Sequence, residues 1–146
     1  MRKRRSLESL QKLAEYAADA ASRDVIERLR SLRNEESRLG QLQSFLGDYE
    51  KLLRDGRGIN VARLRGRRDF VDRLNSAIGR QGDVVRNHED QYSQNVDRWR
   101  GARTRSLALQ RYAQRLADME TERRERREQA TLDEVGQQTR LKTGRS

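Results

Sequence analysis

From Ile78 onward the chain repeats in steps of three and four. Ile78, Gln81, Val85, His88, Tyr92, Asn95, Trp99, Ala102, Ser106, Leu109, Ala113 and Leu116 fall on one line, and most are apolar. Val84, Val96, Leu107, Tyr112 and Met119 flank that line. A 3.5-residue repeat held this long is the pattern of a helix with a partner along one seam. At about 1.5 Å per residue, a helix from Phe70 to Glu134 would be on the order of 100 Å long, too long to lie inside a compact domain. An earlier stripe runs Leu7, Leu10, Leu13, Ala14, Ala17, Ala21, Val25, Leu29 and Leu32, then Leu39, Leu42, Leu46, Tyr49 and Leu53. Its first third is rich in alanine, which lets two helices approach closely but buries little area. Glu35, Glu36 and Arg38 interrupt this stripe, so the seam is expected to be wet there.

Between the stripes lies Arg54-Asp55-Gly56-Arg57-Gly58-Ile59-Asn60. Two close glycines supply a C-cap and a positive-φ position, and Asn60 can cap the second helix. The pattern predicts a single folding unit: helix one over about 6–54 with Ser6 as its cap, a turn over about 55–61, helix two over about 62–135, and a flexible tail over 136–146. The predicted fold class is all-α, an antiparallel two-helix coiled-coil hairpin whose second helix outlasts the first. With the turn centred near residue 59, Tyr49 should lie opposite Phe70, Leu42 near Ala77, Val25 near Tyr92 or Val96, and Leu7 near Leu109 to Ala113. Asp118 to Arg140 then overhangs, with Arg123, Arg124, Arg126 and Arg127 at its centre and little apolar stripe of its own. Such a stretch either frays or is covered by another molecule.

Composition agrees with helices. Residues are 33% hydrophobic and 38% charged, too few apolar for a globule, and there is no proline to break a helix. The net charge of +10 suits an acidic partner, but the acids alternate with the arginines even over 122–128. That interleaving favours a solvated coiled-coil surface and weighs against nucleic acid. Absence of cysteine excludes disulfides and thiolate metal sites. The basic start, residues 1–6, has no apolar stretch behind it to make a signal peptide, and no run is long enough to span a bilayer, so the chain is expected in the cytoplasm.

No catalytic constellation stands out. His88, the one histidine, sits on the seam, Gly-Arg-Gly at 56–58 lacks the lysine of a phosphate loop, and no metal cluster or cofactor motif is present. An enzyme is not expected. Gln81, His88 and Asn95 recur every seven residues and fit register specification. Trp99 should pack against the alanines near Ala18 to Ala21.

Two apolar-aromatic sets flank the turn: Leu42, Phe45 and Tyr49 with Arg38 before them, and Phe70, Leu74 and Ala77 with Gln81 after them. Each lies along one helix face, and a two-helix unit cannot cover all of such residues, so a partner groove is expected there.

Here the wording of the sequence resembles the FliJ family, the small coiled-coil component of the bacterial flagellar type III export apparatus. The resemblance rests on Leu-Glu-Ser-Leu-Gln-Lys-Leu-Ala-Glu at 7–15, Leu39-Gly-Gln-Leu-Gln-Ser-Phe-Leu-Gly-Asp-Tyr49, a glycine-containing turn, Phe70-Val-Asp-Arg-Leu-Asn-Ser-Ala-Ile-Gly-Arg-Gln81, and Trp99 in mid-helix. It ends on Glu122-Arg-Arg-Glu-Arg-Arg-Glu-Gln-Ala-Thr-Leu-Asp-Glu134. The resemblance implies a fold similar to the gamma-subunit stalk of rotary ATPases. It also implies a non-enzymatic protein that binds and promotes a hexameric flagellar export ATPase, contacts the cytoplasmic domain of the export gate protein, and escorts export chaperones. It places the chain in the cytoplasm, held peripherally at the inner membrane of the flagellar base through those partners, in the service of motility. Carried over by position, the gate contact comprises Arg38, Leu42, Phe45, Tyr49, Phe70, Leu74, Ala77 and Gln81. Gln81 stands where relatives have histidine and Arg38 where they have glutamine, so the apolar part of that contact is better kept than its polar detail. The helix end with Arg123, Arg124, Arg126 and Arg127, and the nearby Arg2, Lys3, Arg4 and Arg5, correspond to the part that enters the ATPase. The alternatives are a basic coiled-coil nucleic-acid binder, a dimer of long helices from separate chains, and the equivalent stalk of a virulence type III secretion system.

Overall fold

In a computed structural model of the chain, residues 2–55 and 61–144 are described, without the side chains of 61, 62 and 64. Helix α1 spans Arg2–Asp55 and helix α2 spans Val61–Thr143. The two pack against each other as an antiparallel hairpin, the predicted fold class. The expected glycine turn and the Asn60 cap lie outside the described residues.

All four helix bounds differ from those the sequence predicts, α2 starting at Val61, one residue before the expected 62. Helix α1 begins at Arg2 rather than Ser6, so Ser6 is a helical residue and not a cap. Arginine and lysine are good helix formers and carry the helix into the basic arm. It closes at Asp55, one residue past the expected end. Helix α2 runs through Gly136 to Thr143, where the sequence predicts a flexible tail from residue 136. One glycine costs about 1 kcal/mol relative to alanine and does not by itself stop a helix. Beyond it, Thr139 donates its hydroxyl to the Val135 carbonyl oxygen at 2.8 Å, and the Gly144 amide closes the last turn on the Arg140 carbonyl at 3.0 Å.

One heptad frame runs through both helices. In α1 the inward a positions are 11, 18, 25, 32, 39, 46 and 53, and the d positions 7, 14, 21, 28, 35, 42 and 49. In α2 they are 71, 78, 85, 92, 99, 106 and 113, with d at 67, 74, 81, 88, 95, 102 and 109. Every one of these is buried or half-buried except Arg28. Period 3.5 therefore decides burial along the whole paired length.

The chain divides into two compact units. One comprises residues 17–102 and includes the turn. Its most buried side chains are Leu32, Leu74 and Val85. Its register is fixed by three cross-helix relationships: Tyr49 against Phe70, Gln81 against Glu35, and Arg28 donating to Gln91 Oε1 at 2.8 Å. The two polar d positions of α1 thus both have a glutamine of α2 opposite. Trp99 is half-buried, as are Ala18 and Ala21 on the stretch of α1 that this register sets against it. His88 is half-buried on the seam, and its Nδ1 atom is buried without a hydrogen-bond partner.

The other unit comprises the remainder at both ends of the chain, described over 2–16 and 103–144. Its most buried residues are small, Ala14 and Ser106. An ion pair joins Arg4 to Glu120. From residue 114 to residue 144 every side chain is exposed.

Candidate contact surfaces

The candidate residues beside the turn sort by heptad position. Leu42, Tyr49, Leu74 and Gln81 are d residues; Arg38, Phe45, Phe70 and Ala77 are g residues, one place short of a and turned to the flank of the seam. Burial agrees with this division. Leu74 is only 7% exposed, whereas Phe45 is 54% and Phe70 is 40% exposed. Leu42, Tyr49, Ala77 and Gln81 are half-buried, and Arg38 is exposed. The d residues close the hairpin, and the outward surface is the g row.

That row is held in place by its rings. Phe70 of α2 meets Phe45 edge-on, with centroids 6.2 Å apart and planes at 65°. It also meets Tyr49 at 4.8 Å and 55°. Offset and edge-to-face geometries suit the ring quadrupoles, each about 0.5–1.5 kcal/mol beyond area burial. Phe70 is therefore fixed by two α1 rings while much of its own surface faces solvent.

The polar members meet at Glu35, which in the sequence is only an interruption of the apolar stripe. Gln81 Nε2 donates to the Glu35 carbonyl oxygen at 3.0 Å and to Glu35 Oε2 at 2.6 Å. Arg38 Nη1 donates to Glu35 Oε1 at 3.3 Å. The Glu35 side chain is largely covered, so its carboxylate needs both donors. One carboxylate thus joins Arg38 of one helix to Gln81 of the other. The signal in the sequence is a charged residue on a d position.

In the other unit, Lys3, Arg4 and Arg123 of the basic candidates border an open groove of about 480 Å³, and Arg2, Arg5, Arg124, Arg126 and Arg127 do not. Lys3, Arg4 and Leu7 line it from α1; Ala113, Leu116, Glu120 and Arg123 line it from α2. Long charged side chains at positions 3 and 4 face the last seam residues of α2 and do not fill the space, so Leu116 stays 40% exposed. Arg2, Lys3, Arg4 and Arg5 are all exposed. Beyond Arg123, local bonds along α2 include Arg126 to Glu122 at 4.0 Å and the Thr131 hydroxyl to the Arg127 carbonyl at 2.9 Å. Among the described residues no ion pair engages Arg123, Arg124 or Arg127. The g row belongs to the unit of residues 17–102, the arginines to the other.

Among the described residues no group of acids, histidine or cysteine could hold a metal ion, and no helix is long and apolar enough to cross a membrane. The fold is that of a two-helix coiled coil with exposed rings on one flank and exposed arginines at the helix ends. The sequence profile of the flagellar FliJ protein matches residues 3–145. The chain belongs to the flagellar FliJ family, and so is a component of flagellar export. No curated protein and no solved structure matches it.

Proposed function

We propose that this chain is the non-enzymatic stalk of a flagellar export apparatus. It binds a hexameric export ATPase and promotes its activity, contacts the cytoplasmic domain of the export gate protein, and escorts export chaperones. Through those partners it works in the cytoplasm, peripheral to the inner membrane at the flagellar base. The observation that carries the ATPase contact is the end of α2. Every described side chain past Arg123 is exposed, yet the helix continues to Thr143. An isolated helix of this length is marginal in water, so a surrounding ring would supply the packing the chain lacks. Arg123, Arg124, Arg126 and Arg127, with Arg2 to Arg5, would meet acidic groups of that ring. The gate contact is the g row, with Phe45, Phe70 and Arg38 outermost. Deleting residues 118–146 tests the ATPase contact: binding and stimulation of the cognate hexamer should both be lost, and unchanged stimulation would refute the reading.

A further inference from the structure

Several large apolar side chains used by neither surface gather in the unit of residues 2–16 and 103–144. Leu10 and Leu13 of α1 are 52% and 64% exposed, and Tyr112 of α2 is 50% exposed. Leu10 and Tyr112 are g positions; Leu13 is a c position, in the next row outward on the same flank. In an antiparallel helix pair the g residues of both helices share one side, as Phe45 and Phe70 do in this frame. The flank of the unit therefore carries exposed apolar side chains from both helices. Leu10 and Leu13 of α1 stand three residues apart and Ala108 and Tyr112 of α2 four apart, the spacing a third helix needs for packing.

The charge on this flank has one sign. Arg105 at g and Arg115 at c are exposed beside Tyr112. No acidic residue occupies a g or c position from Lys3 to Leu13 or from Arg105 to Met119. The acids of α1 within this unit, Glu8 and Glu15, are e residues on the opposite flank. We infer that the flank is a docking site for an acidic amphipathic helix of a partner protein. Its apolar stripe packs on Leu10, Leu13 and Tyr112, and its carboxylates meet Arg105 and Arg115. A second copy of this chain is a poor occupant: it would bring the same basic flank and a net charge of +10 to the contact. The site goes beyond the export contacts proposed above and uses none of their residues.

The test uses the full chain and two labelled helical peptides of about three heptads. Both carry leucine at a and d; one carries glutamate at e and g, the other lysine. Fluorescence anisotropy at moderate salt should show the glutamate peptide binding at least about tenfold more tightly than the lysine peptide. Leu13→Glu with Tyr112→Glu should weaken the glutamate peptide by about tenfold or more. Arg105→Glu with Arg115→Glu should reverse the preference between the peptides, while Gln110→Glu on the other flank leaves it unchanged. Circular dichroism identifies any variant that fails to fold, and the Arg105 and Arg115 pair, both exposed, keeps the proposal testable if the apolar pair fails. Equal binding of both peptides, or binding of neither, overturns the proposal. So does sedimentation showing a dimer that Leu13→Glu dissolves, which assigns the flank to a second copy. Binding to phosphatidylserine vesicles but not to peptide overturns it in favour of a lipid surface.

Discussion

The amide of Gln81 donates twice to Glu35, to its backbone carbonyl at 3.0 Å and to its carboxylate at 2.6 Å. Gln81 lies on α2 and Glu35 on α1, and both are d residues, so the bond crosses the seam. Removing one partner should therefore cost more than removing both. Gln81→Ala leaves a largely covered carboxylate short of a donor, and should destabilise the hairpin by about 1–3 kcal/mol. Gln81→Leu combined with Glu35→Leu should be close to neutral. Urea unfolding of the single and double variants, read by circular dichroism, measures the coupling.

Heptad position separates the two halves of the turn-side patch. Leu74→Ala removes a buried seam residue and should cost about 2–3 kcal/mol, the lower end for buried leucines, because a two-helix seam can relax. Phe45→Ala, at an exposed flank, should cost no more than about 1 kcal/mol. In a pull-down with the gate protein's cytoplasmic domain, Phe45→Ala should nonetheless lose binding. Retained binding at wild-type strength would remove the g row from the gate contact.

His88 gives a test of the opposite sign. Its Nδ1 is buried without a hydrogen-bond partner, on a seam position where an aliphatic residue packs well. His88→Leu should raise stability by about 1 kcal/mol, seen as a higher urea midpoint with an unchanged slope. A lower midpoint would mean that a water satisfies the imidazole in solution.

The overhang should be visible in hydrogen exchange. Amides over 124–143 are helical but have no cross-helix packing, so they should open with free energies near zero and exchange within the dead time of manual mixing. Amides over 78–106 lie along the seam and should be protected by several orders of magnitude more. Adding the cognate ATPase should slow exchange over 124–143 first.

Much of this architecture is legible in the residues. The line from Ile78 to Ala113 is buried or half-buried at every step, because a 3.5-residue repeat leaves a helix only one face to hide. The pairing of Tyr49 with Phe70 comes from counting outward from the glycines, since an antiparallel hairpin has one degree of freedom, its register. The helix starts and ends are less legible, because Arg2 to Arg5 and residues 137–142 have helix propensity but no apolar pattern to announce it. Glu35 looks like an interruption in the sequence: its partner lies 46 residues away, and nothing local encodes that. The division of the aromatic patch into covered Leu74 and open Phe45 is also hidden there. Steps of three and four put residues on one face but do not say which edge of that face turns to solvent.

Since burial and exposure here both derive from one frame, they also constrain how the chain can change in length. A single inserted residue turns everything beyond it by about 100° on the helix. Phe70 would move into the seam, or Leu74 out of it, and core and contact row would be lost together. Seven inserted residues on each arm of the hairpin would return each side chain to its own column. Viable length variants of this protein should therefore differ by matched multiples of seven within the paired region and by any number past Arg123.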